Sequence, residues 1–243
     1  MRVIYILKQL QYNVLKERFW KSPNLDIFAN AFILIIALAT ETVYNNSYRM
    51  RGCVKMKLDF RADLTMSQKR TTKIIVETMF LLLTKKSFEE ITVREICRIG
   101  LIPNSTFYNY FEDKYDVLRW AFFKEVYRYY PEVDIVMNHY DNIDKCADAV
   151  CDFIEEYKGI LTRVAKKNPM NGAFYQIISQ CCYDFGLMIA KNCTRDKNFD
   201  YPYEVVFSNY VNGVLGVLSQ TFYNGNTYSR KQIHAYFTDL YAK

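Results

Sequence analysis

From residue 66 onward the chain alternates apolar stripes at helical spacing with short polar breaks. Ile75, Met79, Leu82 and Leu83 predict a first helix from about Gln68 to Thr84. Lys86 to Ile91 reads as a connection. Thr92-Val93-Arg94-Glu95 then forms a T-x-x-E capping box, in which Thr92 accepts from the backbone N–H of Glu95 and Glu95 reaches back to that of Thr92. The short helix it opens turns Val93, Ile96 and Cys97 inward and closes at Gly100-Leu101. Pro103 suits a first helical position, since its missing N–H would lack a partner there anyway. Phe107 and Phe111, four apart, share one face of the next short helix. Asn104, Ser105, Thr106, Tyr108 and Asn109 are left pointing outward. Glu112-Asp113-Lys114 begins another helix, with Val117, Leu118, Ala121 and Phe122 on its inner face and Pro131 at its end.

A second helical unit follows. Ile143, Ala147, Val150, Cys151 and Ile154 form one stripe, and Asn168-Pro169 marks a break. Phe174, Ile177, Ile178, Cys181, Phe185 and Met188 form another stripe, ended at Asp200-Tyr201-Pro202. Tyr203 to Tyr223 is apolar on much of its circumference and is closed by Asn224-Gly225. Ser229-x-x-Gln232 is a second capping box, opening a last helix with Ile233, Tyr236, Phe237 and Leu240 on one face. Eight Gly and five Pro in 243 residues suit long helices with short connections, not a β-sandwich with its many turns. The expected fold class is all-α: an N-terminal three-helix, helix-turn-helix domain over residues 66–130, then a C-terminal helical bundle over 131–243.

Charge narrows where a polyanion could bind. Residues 1–55 carry eight Lys/Arg against three Asp/Glu, residues 56–130 thirteen against ten, and residues 131–243 eleven against thirteen. Nucleic-acid contacts are therefore expected from the front of the chain. Lys69, Arg70 and Lys73 load the entry of the first helix with positive charge, which suits either a solvated face or a phosphate contact. The outward face of Asn104–Asn109 holds hydroxyls and amides with no Lys or Glu. Such groups bond phosphates and base edges equally well.

Seven cysteines, at 53, 97, 146, 151, 181, 182 and 193, form no C-x-x-C pair, and only His139 and His234 accompany them. No metal and no cofactor are expected, and the cysteines fit a reducing cytoplasm. H-E-x-x-H, G-x-S-x-G and a Gly-rich phosphate loop are all missing, so an enzyme is not expected. In residues 1–55 an apolar stretch of fourteen residues lies between Asp26 and Glu41. It falls short of the roughly 20 residues of a spanning helix. Three readings stay open for this extension: upstream sequence ahead of a start at Met56 or Met66 or loosely attached to the fold, an added helix, or a membrane anchor, the last being the least expected.

The string from Ile91 to Ile96, then Ile102-Pro103-Asn104-Ser105-Thr106-Phe107-Tyr108-Asn109-Tyr110-Phe111, then Asp113 to Leu118, resembles the tetracycline-repressor (TetR/AcrR) family of transcriptional regulators. The likeness covers about sixty residues at several fixed spacings, within a segment from about Lys69 to Tyr130. Ser105 to Trp120 is similar to a Gram-positive subgroup that includes activators of dihydroxyacetone utilisation. Two positions depart from the family pattern. Gly100-Leu101 stands where Ala-Gly is usual, and Pro103 stands where Ser often opens the recognition helix. Leu101 is awkward wherever the turn needs a positive φ, and Gly100 offers to shift that turn by one residue.

The resemblance implies a homodimer on double-stranded operator DNA, with recognition helices in successive major grooves about 34 Å apart. Asn104, Thr106 and Asn109 are the candidates for base edges. Ser105, Tyr108 and Lys114 are the candidates for phosphates, Lys114 from a helix N-terminus, and Arg94 would brace the backbone. Thr92, Pro103 and Tyr110 complete the expected DNA-facing set. A small-molecule effector is expected in the C-terminal bundle against Phe153, Tyr157, Phe174, Tyr175, Ile178 and Phe185, all of which plain core packing would also explain. Dimer contacts are expected from Tyr210, Gly213, Gly216, Ile233 and Phe237. The competing expectation is a coactivator of the same fold that binds a protein partner instead of DNA.

Overall fold

The computed structural model describes residues 56–194 and 203–241; Cys53, the 27–40 apolar stretch and the Asp200-Tyr201-Pro202 break lie outside them. Met56 begins a compact unit of the chain. Its helices are α1 (Met66–Leu83), α2 (Val93–Ile99), α3 (Asn104–Tyr110), α4 (Lys114–Tyr129), α5 (Ile143–Ala165), α6 (Ala173–Asn192), α7 (Tyr203–Phe222) and α8 (Arg230–Tyr241). Two 3-10 turns, Pro131–Asp134 and His139–Asn142, link α4 to α5. Strands are absent among the described residues, where the extended backbone pairs only as an isolated bridge between Met137 and Cys193. The fold is all-α.

Capping side chains set several helix boundaries. α1 starts two residues before the expected Gln68, because Thr65 accepts from the N–H of Gln68 at 3.3 Å while the Gln68 side chain accepts from the N–H of Thr65 at 2.9 Å. Ser229 and Gln232 form the same reciprocal pair ahead of α8, at 2.9 and 3.3 Å. The Thr92 box is only half made. Thr92 accepts from the N–H of Glu95 at 3.2 Å, but the Glu95 carboxylate turns away to pair with Lys86. Pro103 is the N-cap of α3, with ψ 146°, and not its first helical residue. Gly225, at φ +73°, ends α7 as its sequence position suggests.

α1 to α4 enclose one core of Ile75, Met79, Leu83, Ile96, Phe107, Phe111, Val117 and Leu118, each fully buried. On α4 the inner residue is Phe123, at 1% exposure, whereas the expected Phe122 is only half-buried and faces the bundle. The segment ahead of α1 joins this core too. Phe60 packs 5.3 Å from the Phe123 ring, and its carbonyl accepts from the Lys124 ammonium at 2.9 Å. In the bundle, α8 lies on α5 and α7. Ile233 and Phe237 complete a cluster with Ile143, Ala147 and Cys151.

The α1–α2 connection buries Phe88 and Ile91 between the two halves, and the Phe88 backbone, shielded from water there, must find partners inside the protein. Asn168, 1% exposed, supplies them at the turn after α5. Its carboxamide oxygen accepts from the Phe88 N–H at 2.7 Å, and its NH₂ donates to the carbonyls of Leu83 at 3.1 Å and Val164 at 3.0 Å. Glu89 adds a second tie, accepting from the Ala173 N–H at 2.7 Å in the first turn of α6. That bond holds the Glu89 carboxyl below its usual pKa. Replacing Asn168 by Ala orphans two buried backbone groups, the Phe88 N–H and the Leu83 carbonyl, while the Val164 carbonyl keeps its bonds from the Lys167 and Asn168 N–H groups. Urea denaturation should show a loss of about 3 kcal/mol, at roughly 1–3 kcal/mol for each unsatisfied group less what water recovers.

A charged seam holds α8 on α5. Arg230 donates to Asp148 at 2.8 Å, Asp152 at 2.5 Å and Glu155 at 3.2 Å. His234 lies 3.2 Å from Asp144 and 3.0 Å from Asp148. Burial opposes charge on His234, but its bonds to Asp148 and Asp144 outweigh burial and raise its pKa. A raised folded-state pKa stabilises fully below the unfolded value of about 6.5 and fades as pH rises through the folded one. The melting-temperature gap between the wild type and His234→Gln should therefore be widest near pH 5.5 and close on the alkaline side.

Candidate functional site

The second and third helices of the N-terminal half are joined by the four residues Gly100 to Pro103, and the turn divides its demands between two adjacent positions. Gly100 is in the right-handed region, at φ −74°. A Cβ there would lie 3.1 Å from the Ile96 carbonyl and 3.2 Å from both Ile74 and Thr78 on α1, so Gly100 serves close helix approach. Leu101 takes the left-handed conformation, at φ 53°, with its side chain 90% exposed. The turn is therefore not shifted onto Gly100. A leucine occupies the strained position, at a cost of roughly 1–2 kcal/mol.

α3 then presents the face read from the sequence. Phe107 and Phe111 are fully buried, with ring centroids 5.9 Å apart. Asn104, Ser105, Tyr108 and Asn109 are exposed, while Thr106 and Tyr110 are half-buried. Pro103 and Arg94 are also exposed, and so is Thr92, which is occupied as the cap of α2. The proline cap makes no side-chain hydrogen bond, so the first N–H groups of this short helix lack a capping side chain.

Lys114 departs from its expected role as a phosphate contact. Its ammonium turns inward and donates to the carbonyls of Phe88 at 2.7 Å, Glu89 at 3.0 Å and Ile91 at 2.8 Å. It also lies 4.7 Å from the centre of the Phe88 ring. An ammonium has three N–H donors, and three carbonyls take them. Burial outweighs the attraction of Glu89 and lowers the Lys114 pKa. A different lysine stands beside α3. Lys57 is exposed, and its ammonium donates to the Tyr108 carbonyl, while its N–H reaches the Asp116 carboxylate at 3.4 Å. The same carboxylate accepts from the Glu112 N–H at 3.0 Å and so holds the turn between α3 and α4. Lys57 lies fifty-one residues before Tyr108, ahead of the first patterned helix, and local spacing gives no signal for it.

A second site lies inside the bundle. α4, α5, α6, α7 and α8 surround a cavity of about 200 Å³. Of the effector candidates, Phe153 and Phe185 line it. Tyr157, Phe174, Tyr175 and Ile178 do not. Phe174 is buried in core, Tyr175 bonds Ser219 at 3.1 Å, and Tyr157 joins Arg128 at 3.4 Å in a polar cluster with Glu125 and Glu156. The walls that the sequence did not reveal include Phe122, Val126 and Tyr129 of α4 and Phe207, Tyr210 and Val214 of α7. Helical periodicity marks such residues as inward without distinguishing packed core from cavity wall.

The dimer candidates divide as well. Ile233 and Phe237 are turned into the α5 cluster, at 4% and 1% exposure, and leave no surface to offer a partner. Gly213 is buried, and Tyr210 lines the cavity. Gly216 is exposed with open space where a Cβ would stand.

No protein-family model and no curated sequence matches the chain. Among solved structures, the dihydroxyacetone kinase operon activator DhaS is similar at a TM-score of 0.45 and 15% sequence identity, over 71% of this chain and 94% of that one. No described helix is long and apolar enough to cross a membrane.

Leu101→Gly removes the left-handed penalty and adds about 0.4–1 kcal/mol of unfolded-state entropy. The net expectation is a gain of about 0.5–1 kcal/mol in a denaturation experiment. Gly100→Ala, one residue away, should instead destabilise.

Proposed function

We propose that the chain is a TetR-like transcriptional regulator that binds operator DNA as a homodimer and responds to a small molecule held in its bundle. The observation that carries this reading is the two-faced α3. Two phenylalanines lock it to the core from one side, while Asn104, Ser105, Tyr108 and Asn109 stand uncharged and exposed on the other. A rigid helix with amides and hydroxyls outward suits base edges in a major groove. Asn104 and Asn109 are assigned to bases, with Thr106 reaching them from its half-buried position. Ser105 and Tyr108 are assigned to phosphates, with Lys57 supplying the charge that Lys114 spends internally. Arg94 and Arg98, both exposed on α2, brace the flanking backbone. The homodimer is assigned to the outer faces of α7 and α8, where Asn212, Gly216, Gln220 and Tyr236 are exposed.

α4 links the two sites. Lys114 at its start grips the α1–α2 connection, and Phe122, Val126 and Tyr129 further along line the cavity. A molecule that prefers one position of α4 shifts the population of DNA-competent dimers.

Selection of bound duplexes from a random pool tests the reading, with an expected pair of half-sites about one helical turn apart. Lys57→Ala should weaken binding to all sequences and flatten the salt dependence by about one unit of slope. Asn109→Ala should relax selection at one base pair. A pool that stays unenriched at low salt, with a protein partner retained instead, would transfer the reading to the coactivator.

A further inference from the structure

The cavity has a definite chemistry, and that chemistry names the class of molecule it takes. Its described lining holds no Asp, Glu, Lys, Arg or His and no amide or aliphatic hydroxyl side chain. Aromatic rings dominate it, with aliphatic side chains filling between them. The polar side-chain atoms in the wall are tyrosine hydroxyls and the thiols of Cys146, Cys182 and Cys193. The Tyr129 hydroxyl is already committed, donating to Glu156 at 2.5 Å. Glu156 is in turn paired with Arg128 at 3.0 Å, so the nearest charges are engaged with each other and not with the cavity. Burial pushes the Cys182 thiol up to about 12, so it presents a neutral S–H.

The size is set by the backbone as much as by side chains. Gly186 on α6 has no Cβ, and one built there would strike the Phe207 ring and crowd Val211. The ring therefore lies directly against α6, and Gly186 fixes how far that wall stands back. An apolar cavity of about 150 Å³ accommodates benzene, so the 200 Å³ here corresponds to on the order of ten non-hydrogen atoms.

Resting on the regulator reading above, we infer that the effector is an uncharged, predominantly apolar small molecule, ring-bearing or short-chain, and not a polyol, sugar or phosphate. A polyol entering this cavity gives up its bonds to water and finds few acceptors or donors in return. Two such losses reduce affinity about a hundredfold. An anion meets no cation in the wall, and an apolar ring meets other rings at contact distance.

Calorimetric titration with indole and with glycerol tests the inference, on the full chain and on Ala149→Phe, which places a ring inside the cavity from α5. Saturable indole binding, weakened at least about tenfold by the substitution, with glycerol about a hundredfold weaker or silent, is the expected result. Glycerol binding as tightly as indole overturns the assigned class. So does indole binding that Ala149→Phe leaves unchanged, or binding of neither compound. If Ala149→Phe does not unfold cooperatively, Ala149→Leu makes the same comparison with a smaller intrusion. DNA selection on the same preparation separates this result from the regulator reading: enriched half-sites without indole binding overturn only the ligand class.

Discussion

The buried carboxamide of Asn168 is the point on which the two halves of this protein depend. A connection between helices leaves backbone groups without helical partners, and the stretch around Phe88 lies where water cannot serve them. Asn168 has donors and an acceptor in one planar group, so it can serve an N–H and two carbonyls from three different elements at once. Lys114 and Glu89 close the remaining vacancies from α4 and toward α6. One short connection thus gathers the end of α1, the start of α4, the end of α5 and the start of α6. α4 runs from this junction, where Lys114 meets the connection, to the cavity that Phe122, Val126 and Tyr129 line.

The turn before α3 shows how two requirements that glycine usually meets can be separated. Close approach of α2 to α1 needs the missing Cβ at Gly100, and the left-handed bend falls one residue later, at Leu101. The protein tolerates the strained leucine because the rest of the core enclosed by α1 to α4 over-determines the turn. Ile96 beneath it and Phe107 beyond it are both fully buried. The two burials, at roughly 1.5–3 kcal/mol each, together exceed strain of this size.

Charge is used for joining more than for display. Asp148, Asp152 and Glu155 stripe one face of α5, and Arg230 and His234, four apart on α8, answer them. Arg128, Glu125 and Glu156 do the same between α4 and α5. With those charges paired at the helix seams, the space between the helices of the bundle is lined by rings and aliphatic groups.

The sequence by itself determined the helices, the breaks, the polar face of α3 and the two phenylalanines behind it. Each follows from residue type at short spacing, which a helix converts directly into a face. The Ser229 box and Gly225 were legible for the same reason. The acidic stripe of α5 could have been matched to Arg230 and His234, since both sides recur at helical intervals. Only the tertiary structure decided the rest. Lys114 looked like a charge at a helix entry until packing brought it under three carbonyls some twenty-five residues earlier in the chain. Asn168 looked like a helix break, and Lys57 lay outside any pattern, because their partners are distant in sequence. Ile233 and Phe237 were expected at a dimer interface, and Phe153 and Tyr157 on an effector-cavity wall with plain core packing as the alternative; periodicity separates neither pair of readings. A hydrophobic period says that a side chain is turned from water. What it meets there is fixed by the packing of other helices.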